Sequence, residues 1–169
     1  MCIRDSPYTP LTPLVNGMNV GKTPFGYAFS DRSNVPQPIT LAGNPVSDSN
    51  PGGGWSPFAI TSGADDTYSL YWKNSGSSQY AQWKLNLQGE KVSGALLSDL
   101  QLFNTESDLG TDLNNDGTIG LTYSPGAVSI NGVNLGSTIY GIAIRDNTAS
   151  PLQITYNGQA IQALSLIHI

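Results

Sequence analysis

Cysteine and histidine are nearly absent from this sequence, and each absence removes a class of chemistry. The only cysteine, Cys2, and the only histidine, His168, each lie one position from a chain end. The long stretch between them therefore offers no disulfide, no thiol nucleophile, no zinc site of the Cys/His kind and no Ser-His-Asp arrangement. A metal site there can use only oxygen ligands, which suit a hard cation such as Ca²⁺.

Charge is also scarce. Charged residues make up 11% of the chain, and 7 Lys and Arg stand against 12 Asp and Glu, for a net charge of −5. Nucleic-acid binding needs many basic groups to replace counterions, so we expect no nucleic-acid partner. No apolar run approaches the roughly 20 residues of a membrane span, so we expect no membrane insertion. Low charge with abundant Gly, Asn, Ser and Thr favours a secreted or cell-surface bacterial protein.

The two ends resemble translated sequencing adapter. Residues 1–6 and 164–169 can be encoded by two DNA strings that are reverse complements of each other. We therefore expect both segments to be adapter artefacts and exclude them from fold reasoning. On this expectation residues 7–163 are an internal piece of a longer protein, and the one cysteine and one histidine are not natural residues.

The chain contains an internal repeat. The segment from Val15 to Asp31 returns without a gap as the segment from Ile130 to Asp146, at an offset of 115 residues. Turn-forming residues recur with the same spacing, and most other differences exchange one apolar residue for another. The repeat predicts a tandem array in which adjacent units of the same chain are partners. Its predicted parts are a linker from a preceding unit (7–14), a complete unit (15–120), a second linker (121–129) and the truncated start of the next unit (130–163).

The predicted fold class is mainly β, an antiparallel meander or hairpin unit with one short helix. Residues 67–73 and 79–87 alternate apolar and polar side chains on either side of a Gly/Ser turn, which indicates a hairpin. The inward positions are Tyr68, Leu70 and Trp72 in the first run and Ala81, Trp83, Leu85 and Leu87 in the second.

A helix over about residues 98–109 follows in the prediction. Leu97, Leu100, Phe103 and Leu109 have helical spacing. Ser98 and Gln101 form a possible capping box at its start.

The segment Asp112–Gly120 is the one motif with metal chemistry. It begins with the pattern D-x-[DN]-x-[DN]-G of EF-hand calcium loops, so Asp112, Asn114 and Asp116 can direct side-chain oxygens at one point, and Thr118 its backbone carbonyl. The twelfth position, where such a loop has a bidentate Glu, is Tyr123, so the missing carboxylate has to come from Glu106 or Asp108. We expect Ca²⁺ as the cofactor, with affinity near the millimolar range. The alternative is an Asx-rich turn that needs no ion.

Five motifs in a fixed order resemble the tryptophan-rich repeat domain found near the C-termini of large cyanobacterial and other bacterial proteins. The resemblance covers about residues 15–120, and the motifs are GYAF at 26–29, GGWSP at 53–57, YWKN at 71–74, YAQW at 80–83 and DLNNDGTIG at 112–120. That family usually has Gly where Asn115 stands, Phe where Leu109 stands, and a Glu where Glu106 stands. The resemblance implies a secreted, calcium-associated surface or adhesion module with no assigned catalytic activity.

Two other functions compete with this interpretation. One is a carbohydrate-binding module that contacts surface polysaccharide through Trp55, which lies in a Gly-rich loop, whereas Trp72 and Trp83 are predicted core residues. The other is an enzyme, for which no pair of carboxylates has a recognisable catalytic context. We expect no catalytic activity; the carboxylates considered are Asp31, Asp65, Asp66, Asp99, Glu106 and Asp108.

Overall fold

The computed structural model describes residues 7–31, 35–50, 52–63, 66–146, 151–157 and 159–162. The adapter segments 1–6 and 164–169 lie outside the described residues, so their origin stays a prediction. Within the described residues the chain forms sixteen strands and one helix. The strands are β1 (Thr9–Pro10), β2 (Asn19–Thr23), β3 (Gly26–Ser30), β4 (Gln37–Pro38), β5 (Thr40–Leu41), β6 (Asn44–Pro45), β7 (Trp55–Ser62), β8 (Tyr68–Asn74), β9 (Tyr80–Leu85), β10 (Lys91–Leu97), β11 (Ser124–Ile130), β12 (Val133–Thr138), β13 (Gly141–Arg145), β14 (Leu152–Gln153), β15 (Thr155–Tyr156) and β16 (Gln159–Ala160), and the helix is α1 (Asp99–Leu109).

The chain divides into two compact units, Met1–Leu102 and Phe103–Ile169. The first unit contains two four-stranded antiparallel sheets, β1–β2–β3–β4 and β7–β8–β9–β10, and a short ladder of β5 with β6. Apolar side chains from both sheets form one core, because each sheet has an apolar face that must be removed from water. The core residues are Met18, Val20, Tyr27, Phe29, Ile39, Val46, Ile60, Leu70, Trp72, Ala81 and Leu85. The predicted fold class, mainly antiparallel β with one short helix, is confirmed.

The hairpin of β8 and β9 carries the centre of this core. The pairing runs from Tyr68 opposite Leu85 to Lys73 opposite Tyr80. Leu70 and Trp72 are fully buried, as the alternation predicts. The prediction is wrong for Leu87, which is exposed: β9 ends at Leu85 and the chain turns there, with the Asn86 N–H donating to the Glu90 carbonyl.

Strand β10 was not predicted from the sequence. Leu97 was placed in the helical pattern, but it ends β10, which pairs antiparallel with β9. Gly94 shows why this strand fits: a Cβ there would lie 2.6 Å from Cδ1 of Trp83, so only glycine lets the backbone lie against that ring.

Helix α1 begins with the predicted capping box. Ser98 Oγ accepts the Gln101 N–H at 3.3 Å, and Gln101 Oε1 accepts the Ser98 N–H at 2.9 Å. Its two buried residues are Leu102 and Glu106, which are four positions apart and therefore share a face. The predicted apolar positions Leu100, Phe103 and Leu109 are only half-buried. No helix in the described ranges is long and apolar enough to cross a membrane.

The second unit repeats the strand arrangement of β1 to β6 at the same offset of 115. Strands β11 to β14 form a sheet in the order of β1 to β4, and β15 pairs with β16 as β5 does with β6. Thr9 lies opposite Lys22 as Ser124 lies opposite Ser137. The left-handed glycines Gly26 (φ 137°) and Gly141 (φ 127°) correspond, and an added Cβ would collide with a carbonyl oxygen at either one. The repeat is therefore a repeat of structure, whereas the predicted bounds of the units and linkers stay predictions.

Candidate functional site

The segment Asp112–Gly120 forms a tight loop directly after α1, organised around the carboxylate of Asp112. Asp112 Oδ1 accepts the N–H groups of Asn115 (2.7 Å) and Asp116 (3.3 Å), and Oδ2 accepts that of Gly117 (2.9 Å). Asn115 and Gly117 have φ values of 60° and 88°, so the backbone turns sharply at both. Residues on either side of this turn, Leu113 and Leu121, are buried and fix the ends of the loop.

Asn114 and Asp116 continue the pattern. Asn114 Oδ1 accepts the Asp116 N–H at 2.7 Å, and Asp116 Oδ1 accepts the Thr118 N–H at 2.8 Å. Asn114 Nδ2 also donates to Asp116 Oδ2 at 2.9 Å. The side chains of Asp112, Asn114 and Asp116 thus all accept backbone N–H groups of one turn, and those of Asn114 and Asp116 are in contact. Their role as metal ligands stays a prediction.

Glu106 reaches the same loop from α1, through backbone N–H groups. Its Oε1 accepts the N–H groups of Leu113 and Asn114, both at 3.1 Å, and its Oε2 accepts that of Gly120 at 3.1 Å. The residue has no exposed surface. Burial raises the pKa of the Glu106 carboxyl above its ordinary value, and the three N–H bonds act in the opposite direction. Glu106 therefore ties the beginning and the end of the loop to the helix.

The oxygen ligands of the loop fit a hard cation. Two carboxylates, one amide oxygen and the Thr118 carbonyl are fewer than the six to eight ligands that Ca²⁺ takes, so water would complete the shell. In the part of the chain that the structure describes, no three His, Cys, Asp or Glu residues gather as a metal cluster. Asp112 Oδ2, Asn114 Oδ1 and Asp116 Oδ1 each accept one N–H and keep a second lone pair. Asp112 Oδ1 accepts two N–H groups, and the bond from Asn114 Nδ2 to Asp116 Oδ2 also competes with a cation. Such a site is weak.

A second feature is an open cavity of about 240 Å³ in the first unit. Three indoles line it: those of Trp55, which is half-buried at the start of β7, of Trp72 and of Trp83. Lys91 Nζ lies 4.6 Å from the centroid of the Trp83 ring. The buried Nε1 of Trp72 has no hydrogen-bond partner. We call this cavity the tryptophan cleft; its other lining residues are Ala81, Lys91, Gly94, Ala95 and Leu96.

The cleft was not predicted from the sequence, where Trp72 and Trp83 were expected in the core and Trp55 in a loop. Its prediction that Trp72 lies in the core is correct, since that side chain is fully buried in the hydrophobic cluster. Trp83 packs on Trp72 with ring centroids 4.7 Å apart. Trp55 also packs against the core and is less free than a loop residue would be. The signal that was missed is β10, whose residues form one wall of the cleft.

One solved structure has a weak similarity to this chain. A crystal structure of a protein of unknown function from Bacteroides caccae aligns with 92% of this chain and 48% of its own, at 10% identity and a TM-score of 0.33. The chain thus spans about half the length of that protein, and the likeness is too low to assign a fold. No curated protein sequence matches the chain.

Comparison with protein families gives a clear result. The family described as the tryptophan-rich Synechocystis species C-terminal domain matches residues 19–120, more than half of the chain. The matched segment runs from the first residue of β2 to the end of the Asp112–Gly120 loop. It includes the three tryptophans, and Glu106 on α1. The chain belongs to the tryptophan-rich Synechocystis species C-terminal domain family.

Proposed function

We propose that this chain is a non-catalytic repeat module of a secreted or cell-surface protein, structural or adhesive, whose Asp112–Gly120 loop binds Ca²⁺. The observation that carries the proposal is the set of oxygens that Asp112, Asn114 and Asp116 place along one turn. Asp112, Asn114, Asp116 and the Thr118 carbonyl would hold the cation, and Glu106 would fix the loop to α1. Bound Ca²⁺ would neutralise the two loop carboxylates and order the backbone between them.

The position of the loop suggests what this ordering does. The loop lies in the chain between α1 and β11, the first strand of the repeated sheet. A cation that binds only the folded loop stabilises it by an amount that grows with the cation concentration. The proposed role is therefore to stiffen the segment that joins one repeat to the next.

Ca²⁺ is expected to raise the melting temperature of the protein. For a Kd near 1 mM, 10 mM Ca²⁺ contributes about 1.4 kcal/mol, or about 3–6 °C for a chain of this size. The measurement is thermal unfolding in 10 mM CaCl₂ against EDTA. Asp116→Ala is expected to remove the shift, because it deletes one of only two loop carboxylates.

The matched control is Asp99→Ala, which removes an exposed carboxylate at the start of α1 that is not a candidate ligand. It should leave the calcium shift unchanged. An equal melting temperature in CaCl₂ and EDTA for the unsubstituted protein would show that the loop is an Asx-rich turn that needs no ion.

The non-catalytic part of the proposal is supported by what the carboxylates do. Glu106, the most buried of them, uses both oxygens to accept backbone N–H groups. Both oxygens of Asp112 are likewise used within the loop. A general acid or a nucleophile needs an oxygen directed at substrate, and these groups direct theirs at the backbone.

The tryptophan cleft favours a second candidate function, the binding of a carbohydrate. Indole faces stack on the apolar faces of sugar rings, and Trp55 and Trp83 are the partly exposed indoles of the cleft. Trp55 lies at the start of β7 and is the member that we select for the test. Surface polysaccharide is the class of ligand that this chemistry suits.

Trp55→Ala is expected to abolish carbohydrate retention if the cleft binds sugar. The measurement is affinity electrophoresis through gels that contain soluble bacterial and algal polysaccharides. Phe25→Ala, which removes an exposed aromatic ring outside the cleft, is the control and should be retained normally. If no polysaccharide retards the unsubstituted protein, the cleft is a packing feature of the fold.

A further inference from the structure

We propose that one face of the second unit is a docking surface for a four-stranded sheet with the sequence chemistry of β7–β10. This open face comprises the apolar side chains of β12 and β13 and the residues next to them, namely Ile130, Val133, Leu135, Ile142, Ile144 and Ile154. The inference rests on the repeat in the proposed function and is independent of calcium.

The same positions can be compared directly in the two units, because their strand registers are identical. Val20 pairs with Phe29 in the first unit, and Leu135 pairs with Ile144 in the second. Val20 has 0% of its surface exposed, whereas Leu135 has 46%. Val15 and its counterpart Ile130 have 5% and 66%. Residues that form a core in one unit are thus open to water in the other.

Among the apolar side chains of β3 and β13, the difference lies on one face of the sheet. Tyr27 and Phe29 are buried, while their counterparts Ile142 and Ile144 are partly exposed. Between them along the strand, Ala28 and its counterpart Ala143 are both buried. Successive strand residues point to opposite faces of the sheet. In the second unit, the face that carries Ala143 is therefore buried at this strand, whereas the face that carries Ile142 and Ile144 is partly exposed to water.

The first unit shows what covers this face. The Tyr27 ring packs edge-on against Trp72 with centroids 5.8 Å apart, and Phe29 packs on Tyr68 at 4.7 Å. Tyr68 and Trp72 belong to β8, and Ile60 of β7 and Leu85 of β9 join the same cluster. The occupant of the open face is therefore a sheet of this composition, with an aromatic and aliphatic inner face.

The repeat also fixes how such a sheet is reached. At the offset of 115, Gln162 corresponds to Ser47, so a sheet like that of residues 48–97, joined after Gln162, would reach this face as the corresponding sheet does in the first unit. In the first unit, Tyr27 donates its N–H to the Val46 carbonyl. In the second unit, the corresponding N–H of Ile142 donates to the Ile161 carbonyl. The second unit thus has the same backbone connections up to the point where this sheet would begin.

The test is an extended protein in which a copy of residues 48–97 follows Gln162. Hydroxyl-radical footprinting, in EDTA, measures the oxidation of Leu135, Ile142 and Ile144 with and without the extension. Oxidation is expected to fall about tenfold in the extended protein, to the level of Val20 in the first unit. Continued oxidation at the original rate, with or without folding of the extension, would overturn the proposal.

Leu135→Asp gives a second, independent measurement. In the unextended protein it should leave the melting temperature unchanged, because Leu135 is exposed, whereas Val20→Asp should abolish folding of the first unit. In the extended protein, Leu135→Asp should restore oxidation of Ile144. Two results would assign the face to another occupant. One is a large loss of stability from Leu135→Asp in the unextended chain. The other is a dimer, detected by light scattering, in which Leu135 is protected from oxidation. Loss of the calcium shift alone would leave this inference intact.

Discussion

Replacing Glu106 by alanine is expected to destabilise the second unit by about 3–5 kcal/mol, because two buried and one partly buried backbone N–H groups lose their acceptor. Each unpaired buried donor costs about 1–3 kcal/mol. Domains of this size are stable by only about 5–15 kcal/mol, so the substitution should remove a large part of the free energy of unfolding. Urea unfolding in EDTA measures the effect without any contribution from calcium.

Two other substitutions on the same helix sharpen this experiment. Glu106→Gln keeps an oxygen for Leu113 and Asn114 but turns an amide NH₂ towards the Gly120 N–H, so we expect about 1–3 kcal/mol of destabilisation. Asp108→Ala removes an exposed carboxylate and should change stability by less than about 0.5 kcal/mol. If Glu106→Ala instead leaves stability in EDTA unchanged and removes only the calcium shift, Glu106 is a metal ligand and its backbone role is wrong.

The contrast between these outcomes shows what the sequence could predict about the loop. The spacing of Asp112, Asn114 and Asp116 predicts either a cation site or an Asx-rich turn; the structure shows the backbone bonds of such a turn, and the cation stays a prediction. Glu106 and Asp108 were the two candidates for a further carboxylate, and the structure shows Glu106 bonded to the loop backbone. A sequence pattern cannot show which partner a carboxylate has, since metal ions and backbone N–H groups both attract it. Only the geometry shows that Glu106 accepts three N–H bonds.

The fold was predictable where local patterns decide it. The β8–β9 hairpin follows from two alternating runs, and the start of α1 follows from Ser98 and Gln101. Strand β10 was not predictable in this way, because its residues are mostly exposed and only its pairing with β9 makes it a strand. The tryptophan cleft was missed for the same reason, since β10 forms one of its walls.

Trp72→Ala is expected to be the most damaging single change in the first unit, with a loss of about 3–5 kcal/mol. Trp72 is the largest fully buried side chain, and it contacts Tyr27 from the first sheet as well as Trp83 beside it. Its removal leaves a cavity between the two sheets that the surrounding side chains can fill only in part. Urea unfolding monitored by far-UV circular dichroism measures the loss without depending on the deleted fluorophore.

The other two tryptophans provide the matched comparison. Trp55 and Trp83 are partly buried and pack on the edge of the same core, so their alanine substitutions should each cost less than that of Trp72. Equal losses for all three would contradict the arrangement of one central and two peripheral indoles.

Trp55→Ala has a further use, because it should weaken carbohydrate retention more than it weakens folding if the cleft binds sugar. A Trp55→Ala variant that stays folded and still binds polysaccharide as the unsubstituted protein does would leave Trp55 with a role in packing alone.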